Sequence, residues 1–280
     1  MKYSNFLDFA KRKSTNMKIS IIAISLIASF TSFSQDVFIP DAAFKSYLVG
    51  EPLININGDS EIQEAEALAF SGAINCSNLG ITDLTGIEAF TNLVDLLCFN
   101  NSITSLDLSQ NVNLLSITCA NNSLSNLNVT GLTLLESLNC SGSYSLNHNL
   151  EGLNLSTNTS LKALTIIYSN LATLDVSSLV NLETLYCRDN QLTALDVSTS
   201  PNLEGLNCME NQLTNLNVTG LTNLTYISSG YNSNLNGLDL TTNTSLNDLY
   251  LSNSLTSLAK VKPSFLGIIT SKTKISGFSI

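Results

Sequence analysis

A run of oxygen-bearing side chains between residues 55 and 66 is the part of the sequence best suited to bind a metal ion. It reads Asn-Ile-Asn-Gly-Asp-Ser-Glu-Ile-Gln-Glu-Ala-Glu. Its first, third, fifth and twelfth positions carry side-chain oxygens, and Glu61 would add a backbone carbonyl; the four side chains are Asn55, Asn57, Asp59 and Glu66. Calcium takes roughly six to eight oxygen ligands, and this spacing can converge them. The run therefore predicts a calcium site, and no other cofactor is required.

The same run resembles the calcium loop of EF-hand and dockerin modules, with Ile62 at the place of the loop's apolar anchor. It departs from that pattern at Asn55, where Asp is usual, and at Ser60, where glycine normally makes the turn. The alternative is a helix start, in which Ser60 and Gln63 form a capping box behind an Asn-Gly-Asp turn. The sequence leaves both interpretations open.

Six cysteines are the other reactive side chains, and in an exported chain six would suggest three disulfides. They are Cys76, Cys98, Cys119, Cys140, Cys187 and Cys208. Each occupies the same slot of a repeated unit, and Ile166, Ser229 and Leu251 fill that slot elsewhere. Side chains one layer apart would stand about 4.8 Å apart, beyond the Cβ separations of roughly 3.5–4.5 Å that disulfides use. We therefore predict buried free thiols that act as small core residues.

Nucleophilic catalysis would need a base beside a nucleophile, and the sequence offers little for either role. The chain holds one histidine, His148, and its cysteines are predicted to face the core without Cys-x-x-Cys spacing. We therefore predict that the protein is not an enzyme. His148 lies in an insertion at 142–149, which we expect to form a solvated surface loop, and such loops often carry binding specificity.

A repeat positions the cysteines and the insertion that carries His148. The first leucine of each unit recurs at steps of 21, 21, 26, 21, 21, 21 and 22 residues. A partial unit at 74–87 precedes the complete ones. The complete units begin at Leu93, Leu114, Leu135, Leu161, Leu182, Leu203, Leu224 and Leu246.

Each unit reads Leu-x-x-Leu-x-Cys-x-x-Asn-x-Leu-x-x-Leu-Asp-Val, with two stretches of period two. Period two between turn-forming residues predicts two short strands per unit. One unit buries too few side chains to offset the entropy of ordering it, so the units must stack on their neighbours. The predicted fold is a mainly β solenoid, a right-handed parallel-stranded coil of about eight to nine turns with a small helical N-terminal cap.

The unit resembles the leucine-rich-repeat consensus, with Cys in the third apolar slot. Its Leu-x-x-Leu-Asp-Val continuation is similar to the 21-residue, internally nested bacterial class called IRREKO. The Ile-Pro-Asp-x-x-Phe segment at Ile39–Phe44 resembles that of exported flavobacterial repeat proteins. The resemblance covers about residues 73–258 and implies a curved solenoid that binds proteins or glycans, commonly at a cell surface.

Four segments follow from these patterns. Residues 1–34 are predicted to be a signal peptide, with a start at Met1 or Met17, because a basic flank precedes a short apolar stretch. Residues 35–72 form the helical cap with the EF-hand-like loop, and its first helix is capped by Asp41. Residues 73–258 form the solenoid. Residues 259–280 form an irregular tail or a degenerate cap.

Two lines of side chains should face away from the core. We predict a binding face on the first strands, made of exposed aromatic and aliphatic groups: Leu97, Phe99, Ile167, Tyr186, Arg188, Met209, Tyr226 and Tyr250. The second strands present an Asx line, for which turn-side hydrogen bonding is favoured over a calcium ladder. That line contains Asp107, Asn128, Asn154, Asp175, Asp196, Asn217 and Asp239.

The formal net charge is −10 at pH 7, and five of the twelve basic residues lie in the first 34. The chain after residue 34 is therefore strongly acidic. A negatively charged surface repels phosphate backbones, so a nucleic-acid partner is not expected. We expect a secreted or outer-surface monomer that binds a protein or glycan and does not enter a membrane once its signal is cleaved. The alternatives are a passive envelope spacer and a remnant of a larger adhesin.

Overall fold

The structure is a computed structural model that describes residues 35–145 and 148–251. The predicted signal peptide at 1–34 and the predicted tail at 259–280 lie outside the described residues. Within them, no helix has the length and apolar character that a membrane crossing requires.

Two helices form the N-terminal cap: α1, Ala42–Gly50, and α2, Glu64–Ala69. Asp41 caps α1 as predicted, because its carboxylate accepts the backbone N–H groups of residues 43 and 44 at 3.0 Å each. Phe44 and Leu48 of α1 are fully buried and join the core of the repeats. The helix therefore covers the open end of the apolar stack.

The same Asp41 carboxylate also fastens the cap to the first turn of the repeats. Its second oxygen accepts from the backbone N–H and the hydroxyl of Thr82, at 2.9 and 3.0 Å. On the other side of α1, the Tyr47 hydroxyl accepts the N–H of Asn75 at 3.0 Å. Burial acts to raise the pKa of Asp41, but the hydrogen bonds from Thr82, Phe44 and Asp83 outweigh it and lower that pKa.

The strands follow in short segments of two or three residues. They are β1 (Ala73–Asn75), β2 (Asp95–Leu97), β3 (Ser105–Asp107), β4 (Ser116–Thr118), β5 (Asn126–Asn128), β6 (Ser137–Asn139), β7 (Ala163–Thr165), β8 (Thr184–Tyr186), β9 (Leu195–Asp196), β10 (Gly205–Asn207), β11 (Leu216–Asn217), β12 (Tyr226–Ser228) and β13 (Asp248–Tyr250). A 3-10 turn, Ile87–Ala89, precedes β2. Nine strands pair in parallel in the order β1-β2-β4-β6-β7-β8-β10-β12-β13, which confirms the predicted solenoid.

The register of this sheet follows from the repeat. The middle residue of every strand faces the core and pairs with the middle residue of the next, as Leu185 does with Leu206. Each such leucine is worth about 1.5–3 kcal/mol when buried. Side chains that recur at the same slot therefore form continuous apolar columns.

The second strand of each unit is less regular than predicted. It is present as two separate parallel pairs, β3 with β5 and β9 with β11. The other units that are described run through the same place without strand pairing, except for an isolated bridge at Asp239. The expectation of two strands in every unit was therefore too strong.

Buried asparagines tie adjacent coils together. The Asn101 amide donates to the carbonyls of Cys76 and Cys98, at 2.9 and 3.0 Å, and so links two coils through one side chain. Its oxygen accepts the N–H groups of Leu79 and Ile81. The same arrangement recurs at Asn122, Asn190, Asn211 and Asn232.

This asparagine ladder is interrupted at the insertion, where Ser143 and Ser169 occupy its slot. His148 lies in the gap with 4% of its surface exposed, and its Nδ1 is 3.2 Å from the Asn122 carbonyl oxygen. The prediction that His148 is a solvated loop residue was wrong. The described part of the insertion packs against the coils, and the imidazole contacts the carbonyls of Asn122 and Cys140. A ladder asparagine at residue 143 would serve the Cys140 carbonyl, as Asn122 serves that of Cys119.

A second buried slot alternates between apolar and polar side chains from coil to coil. In chain order it holds Phe90, Asn111, Leu132, Asn158, Leu179, Ser200, Leu221 and Asn243. Each polar member donates to carbonyls of the coil before it; Asn158, for example, donates to Val129 and Leu132 at 2.9 and 3.1 Å. These hydrogen bonds therefore join each coil that has a polar residue in this slot to the preceding coil, which has an apolar one.

Candidate functional site

Three tyrosines form an aromatic platform on the outer face of the nine-stranded sheet. The rings of Tyr186 and Tyr226 lie 6.5 Å apart between centroids, and those of Tyr226 and Tyr250 lie 5.8 Å apart. Tyr250 is 44% exposed, and the other two are partly exposed. Burial raises the pKa of Tyr226, and the neighbouring tyrosines add to the rise.

Gly205 leaves room beside the Tyr186 ring, although a Cβ there would make only an ordinary van der Waals contact. It lies on β10, between the strands that carry Tyr186 and Tyr226. A Cβ atom at Gly205 would stand 3.7 Å from the Tyr186 hydroxyl oxygen and 3.8 Å from its ring. Because that space is left free, the Tyr186 ring can lean across β10 toward Tyr226.

The other residues predicted for the binding face do not join the platform. Phe99, Ile167, Arg188 and Met209 are all partly exposed, as is Leu97. Leu97 lies on β2, which is separated from β8 by three intervening strands. Sequence reasoning therefore identified the correct side of the sheet but not where its aromatic groups gather.

A cleft of about 690 Å³ opens beside the insertion, at the ends of the strands. Tyr144, Tyr168, Asp189, Gln191 and Glu210 are among the residues that line it. Sequence analysis identified the insertion as a candidate binding loop. It missed Tyr168, Asp189 and Glu210, which line the cleft from the following coils. Their signal was a change at one repeat slot, where asparagine gives way to Tyr, Asp and Glu.

One arginine neutralises part of the charge along this cleft. Arg188 contacts Asp189 Oδ2 through Nε at 2.7 Å and Glu210 Oε1 through its terminal nitrogen at 2.7 Å. A side-chain hydrogen bond with Asp189, together with burial, raises the pKa of Glu210. The negative charge of Asp189 raises the pKa of Tyr168. Two carboxylates thus share one guanidinium.

The predicted calcium loop is closed by its own hydrogen bonds. The Asn55 side chain accepts the N–H of Gly58 at 3.0 Å, and Asn57 and Asp59 accept those of Asp59 and Glu61 at 2.8 Å each. The Glu61 carboxylate pairs with Lys45 at 2.6 Å. The described residues contain no group of three or more His, Cys, Asp or Glu side chains that could hold a metal ion. Calcium binding stays a prediction, and a calcium ion here would have to take ligands from the side-chain oxygens of Asn55 and Asn57.

Glu66, the last predicted ligand, is 8% exposed and turns its carboxylate onto the backbone. It accepts from Ile56 and Asn57 at 2.9 and 3.1 Å, and from Gln63 at 3.1 Å. The last contact closes a capping box whose N-cap is Gln63, at the start of α2. The predicted box at Ser60 was therefore wrong, because the helix begins three residues later.

The six cysteines are free, buried and in one register, as predicted. Cys98 and Cys119, for example, donate their backbone N–H groups to the strands that follow, at 2.9 Å each. Burial raises the pKa of Cys76, Cys119 and Cys187 to about 12. The thiols therefore serve the core and have no nucleophilic role at neutral pH.

Every member of the predicted Asx line makes the same local turn. The side-chain oxygen of Asp107 accepts the N–H of Ser109 at 2.9 Å, and Asp196 accepts that of Ser198 at 2.9 Å. The other five positions repeat this contact two residues ahead. These backbone hydrogen bonds lower the pKa of Asp107 and Asp196. The favoured interpretation, turn-side hydrogen bonding, is confirmed.

The parallel coils, the cysteine and leucine columns and the asparagine ladder together define a leucine-rich-repeat solenoid. No protein-family model matches the chain. Among curated proteins, Internalin J of Listeria monocytogenes serotype 4b is 36% identical over 112 residues. That match covers 39% of this chain and 12% of the length of Internalin J.

One solved structure supports the same architecture, and a second is similar in sequence. A leucine-rich-repeat protein of Leptospira interrogans is 22% identical, with a TM-score of 0.60, and the match covers 73% of this chain and 55% of that one. The functional domain of Internalin J from Listeria monocytogenes, described as including a cysteine ladder, is 29% identical, with a TM-score of 0.42. That match covers 81% of this chain and 63% of the other. The Leptospira protein supports the fold alone.

Proposed function

We propose that the protein is an exported or cell-surface recognition module that binds a protein or glycan through the outer face of its sheet. The tyrosine platform of Tyr186, Tyr226 and Tyr250 is the observation that carries this proposal. The likeness to Internalin J in part of the chain is consistent with it.

Physical reasoning supports a binding role for the platform. Tyrosine presents a large apolar ring and a hydroxyl with little conformational freedom to lose, so it is favoured in binding surfaces. Three rings that touch one another on an otherwise polar sheet form a patch that a partner could cover. The absence of a side chain at Gly205 favours contact between the rings of Tyr186 and Tyr226. Strand pairing does not require a glycine at this position.

The net charge of the chain restricts the classes of molecule that it should bind. With a net charge of −10, the protein should bind neutral or basic molecules better than anionic ones. We expect a monomer without catalytic activity. Export is proposed from the apolar stretch that follows Met17, and membership of the nested 21-residue class is proposed from the spacing of the leucines.

The alternative function is a passive spacer in the cell envelope. A spacer would repeat its outer surface from coil to coil, whereas the first residue of the strand differs between β8, β10 and β12, where it is Thr184, Gly205 and Tyr226. This variation favours recognition over spacing.

The test is a binding screen with two variants. The immobilised protein is exposed to a glycan array and to envelope extracts, and each hit is measured again with a Tyr186→Ser, Tyr226→Ser double variant. We expect this variant to lose at least tenfold in affinity. Tyr231→Asn, which removes an exposed tyrosine outside the platform, should bind like the unmodified protein. Hits that the double variant retains would contradict the platform as the binding site, and the absence of any hit would favour the spacer.

A further inference from the structure

One slot of the repeat holds its backbone in the left-handed region along nearly the whole solenoid. We name it the left-handed column. In chain order it contains Asn78, Asn100, Asn121, Tyr168, Asp189, Glu210 and Tyr231, with φ of 61, 55, 54, 52, 55, 52 and 58°. Gly142 occupies the slot in the coil that carries the insertion and is the exception to this conformation, since its φ is not positive. The backbone of this slot is thus set by the coil and not by the residue that fills it.

The filling of the left-handed column changes at the insertion. Before it, asparagine is used throughout, and asparagine tolerates this conformation because of its short polar side chain. After it, Tyr168, Glu210 and Tyr231 hold a conformation that is strained for their side chains. Such strain supports a function for a side chain when that side chain also lines a cavity, which Tyr231 does not do in the cleft described above. Tyr168 and Glu210 line the cleft.

The aromatic groups of the cleft leave ring surface uncovered. Tyr144 is 93% exposed and meets Tyr168 edge to face, with 6.1 Å between centroids and 83° between planes. An edge contact leaves the face of one ring open. Gly142 brings the insertion close enough for this contact, because a Cβ there would stand 2.2 Å from the Tyr168 carbonyl oxygen.

A chain of amides runs along the same cleft across three coils. Asn170 donates to the Asn149 side-chain oxygen at 3.1 Å, and Gln191 donates to the Asn170 side-chain oxygen. Each amide nitrogen carries a second hydrogen, and each oxygen a second lone pair, so the chain can donate and accept at once. Hydroxyl groups are the ligand groups that use both capacities.

The charge of the cleft argues against ionic ligands. Arg188 already bridges Asp189 and Glu210, so a cationic ligand would have to compete with a guanidinium held at 2.7 Å from each. The three groups leave the wall negative, and this charge repels anionic sugars and phosphates.

From these contacts we propose that the cleft between the insertion and the following coils is a binding site for a neutral oligosaccharide. A sugar ring would stack on Tyr144 and Tyr168, while its hydroxyls would bond to the amides of Asn149, Asn170 and Gln191. The cleft is large enough for more than one sugar unit. The site is separate from the tyrosine platform and does not depend on it.

Calorimetry on the full chain tests this proposal with defined probes: the hexasaccharides of cellulose, starch, chitin, xylan and mannan as neutral ligands, with oligogalacturonate and hexalysine as charged ones. We expect at least one neutral probe to bind. Tyr168→Asn should weaken that binding at least tenfold, whereas Tyr231→Asn, the matched change in the same column outside the cleft, should leave it unchanged.

Thermal unfolding shows whether these effects reflect folding. Because asparagine suits the left-handed column, Tyr231→Asn should raise the unfolding midpoint by about 2–4 °C, and Tyr168→Asn should leave it at or above that of the unmodified protein. Binding must also survive the Tyr186→Ser, Tyr226→Ser change. The proposal is overturned if no neutral probe binds or if only a charged probe binds. It is also overturned if the Tyr186→Ser, Tyr226→Ser variant no longer binds the neutral probe, or if Tyr168→Asn binds it as tightly as the unmodified protein.

Discussion

The rings of Tyr186 and Tyr226 meet across Gly205, with 6.5 Å between their centroids, although a whole strand lies between the strands that carry them. A side chain larger than a methyl group at Gly205 would compete with the Tyr186 ring for the space between the two tyrosines. This competition suggests a way to move the platform without unfolding the coil.

Gly205→Thr should separate the two rings and preserve the fold. The Cβ alone would already reach van der Waals distance of Tyr186, so the larger threonine must push the ring aside. Threonine favours a strand and glycine does not, so the free energy of unfolding should stay level or rise by about 0.5–1 kcal/mol. Near-ultraviolet circular dichroism would report the rings. Ala163→Thr, at the equivalent position of β7, is the control and should leave that signal unchanged.

Ser229→Cys should stabilise the protein. Ser229 occupies the cysteine slot, is fully buried, and its hydroxyl has no hydrogen-bond partner among the described residues. Replacing it by the residue that the slot favours should raise the free energy of unfolding by about 1 kcal/mol. Denaturant unfolding measures this, and the reverse change in the coil before it, Cys208→Ser, should lower stability. An unchanged midpoint in both variants would show that the slot tolerates a hydroxyl.

His148 should make stability depend on pH. Burial lowers its pKa, and the carbonyls of Asn122 and Cys140 only partly offset this. The unfolded chain, with a histidine pKa of about 6.5, therefore takes up a proton first as the pH falls. The contribution of His148 to the free energy of unfolding is therefore fully present above about pH 6.5. Below that pH it falls, by at most about 1.4 kcal/mol per pH unit.

The measurement compares unfolding free energies at pH 7.5 and 5.5 with those of His148→Asn. Asparagine can donate to the Asn122 carbonyl and does not titrate. Since the chain has one histidine, the difference between the two proteins isolates this group. Equal pH dependence in both would contradict the buried, neutral imidazole.

The thiols should react only after unfolding. Because burial raises the pKa of Cys119 and Cys187 to about 12, almost no thiolate forms at neutral pH, and solvent does not reach these side chains. Under non-reducing conditions we expect no reaction with a thiol reagent in buffer and six equivalents in denaturant. Three blocked pairs in the denatured protein would refute the column of free cysteines.

Calcium should bind the loop at residues 55–66 weakly, with a Kd on the order of 10⁻⁴–10⁻³ M. Asp59 and Glu66 are the only predicted side-chain ligands with a charge, and Glu66 must give up hydrogen bonds to Ile56 and Asn57 in order to turn inward. Isothermal titration of the full chain checks this, with Asp59→Ala expected to abolish the heat. The absence of heat at millimolar calcium would leave the loop as a structural turn alone.

Much of the fold could be predicted because its rules are local or strictly periodic. Asp41 sits beside the N–H groups that it caps, and each Asx turn closes two residues ahead. The columns of Leu185 and Cys187 followed from a constant spacing. The start of α2 was placed too early, because Ser60 with Gln63 and Gln63 with Glu66 both have the spacing of a capping box, and the structure uses the second pair.

The parts that could not be predicted depend on neighbouring coils. The burial of His148 is decided by a carbonyl of Asn122, which is 26 residues away in the preceding coil. The cleft depends on the backbone angles at Tyr168 and Glu210. The sequence shows these residues replacing asparagine, but the strain that marks them appears only with the coordinates.

The alternation of apolar and polar side chains in the second buried slot bears on how this array changes length. The contact from Gly131 to the Thr157 hydroxyl, at 2.9 Å, recurs between Gly220 and Thr242 at 2.8 Å, so both copies join the same two kinds of coil. Loss of a single coil would bring two polar members such as Asn158 and Ser200 together. Duplication or recombination within the gene would therefore keep these bonds only when coils are gained or lost two at a time.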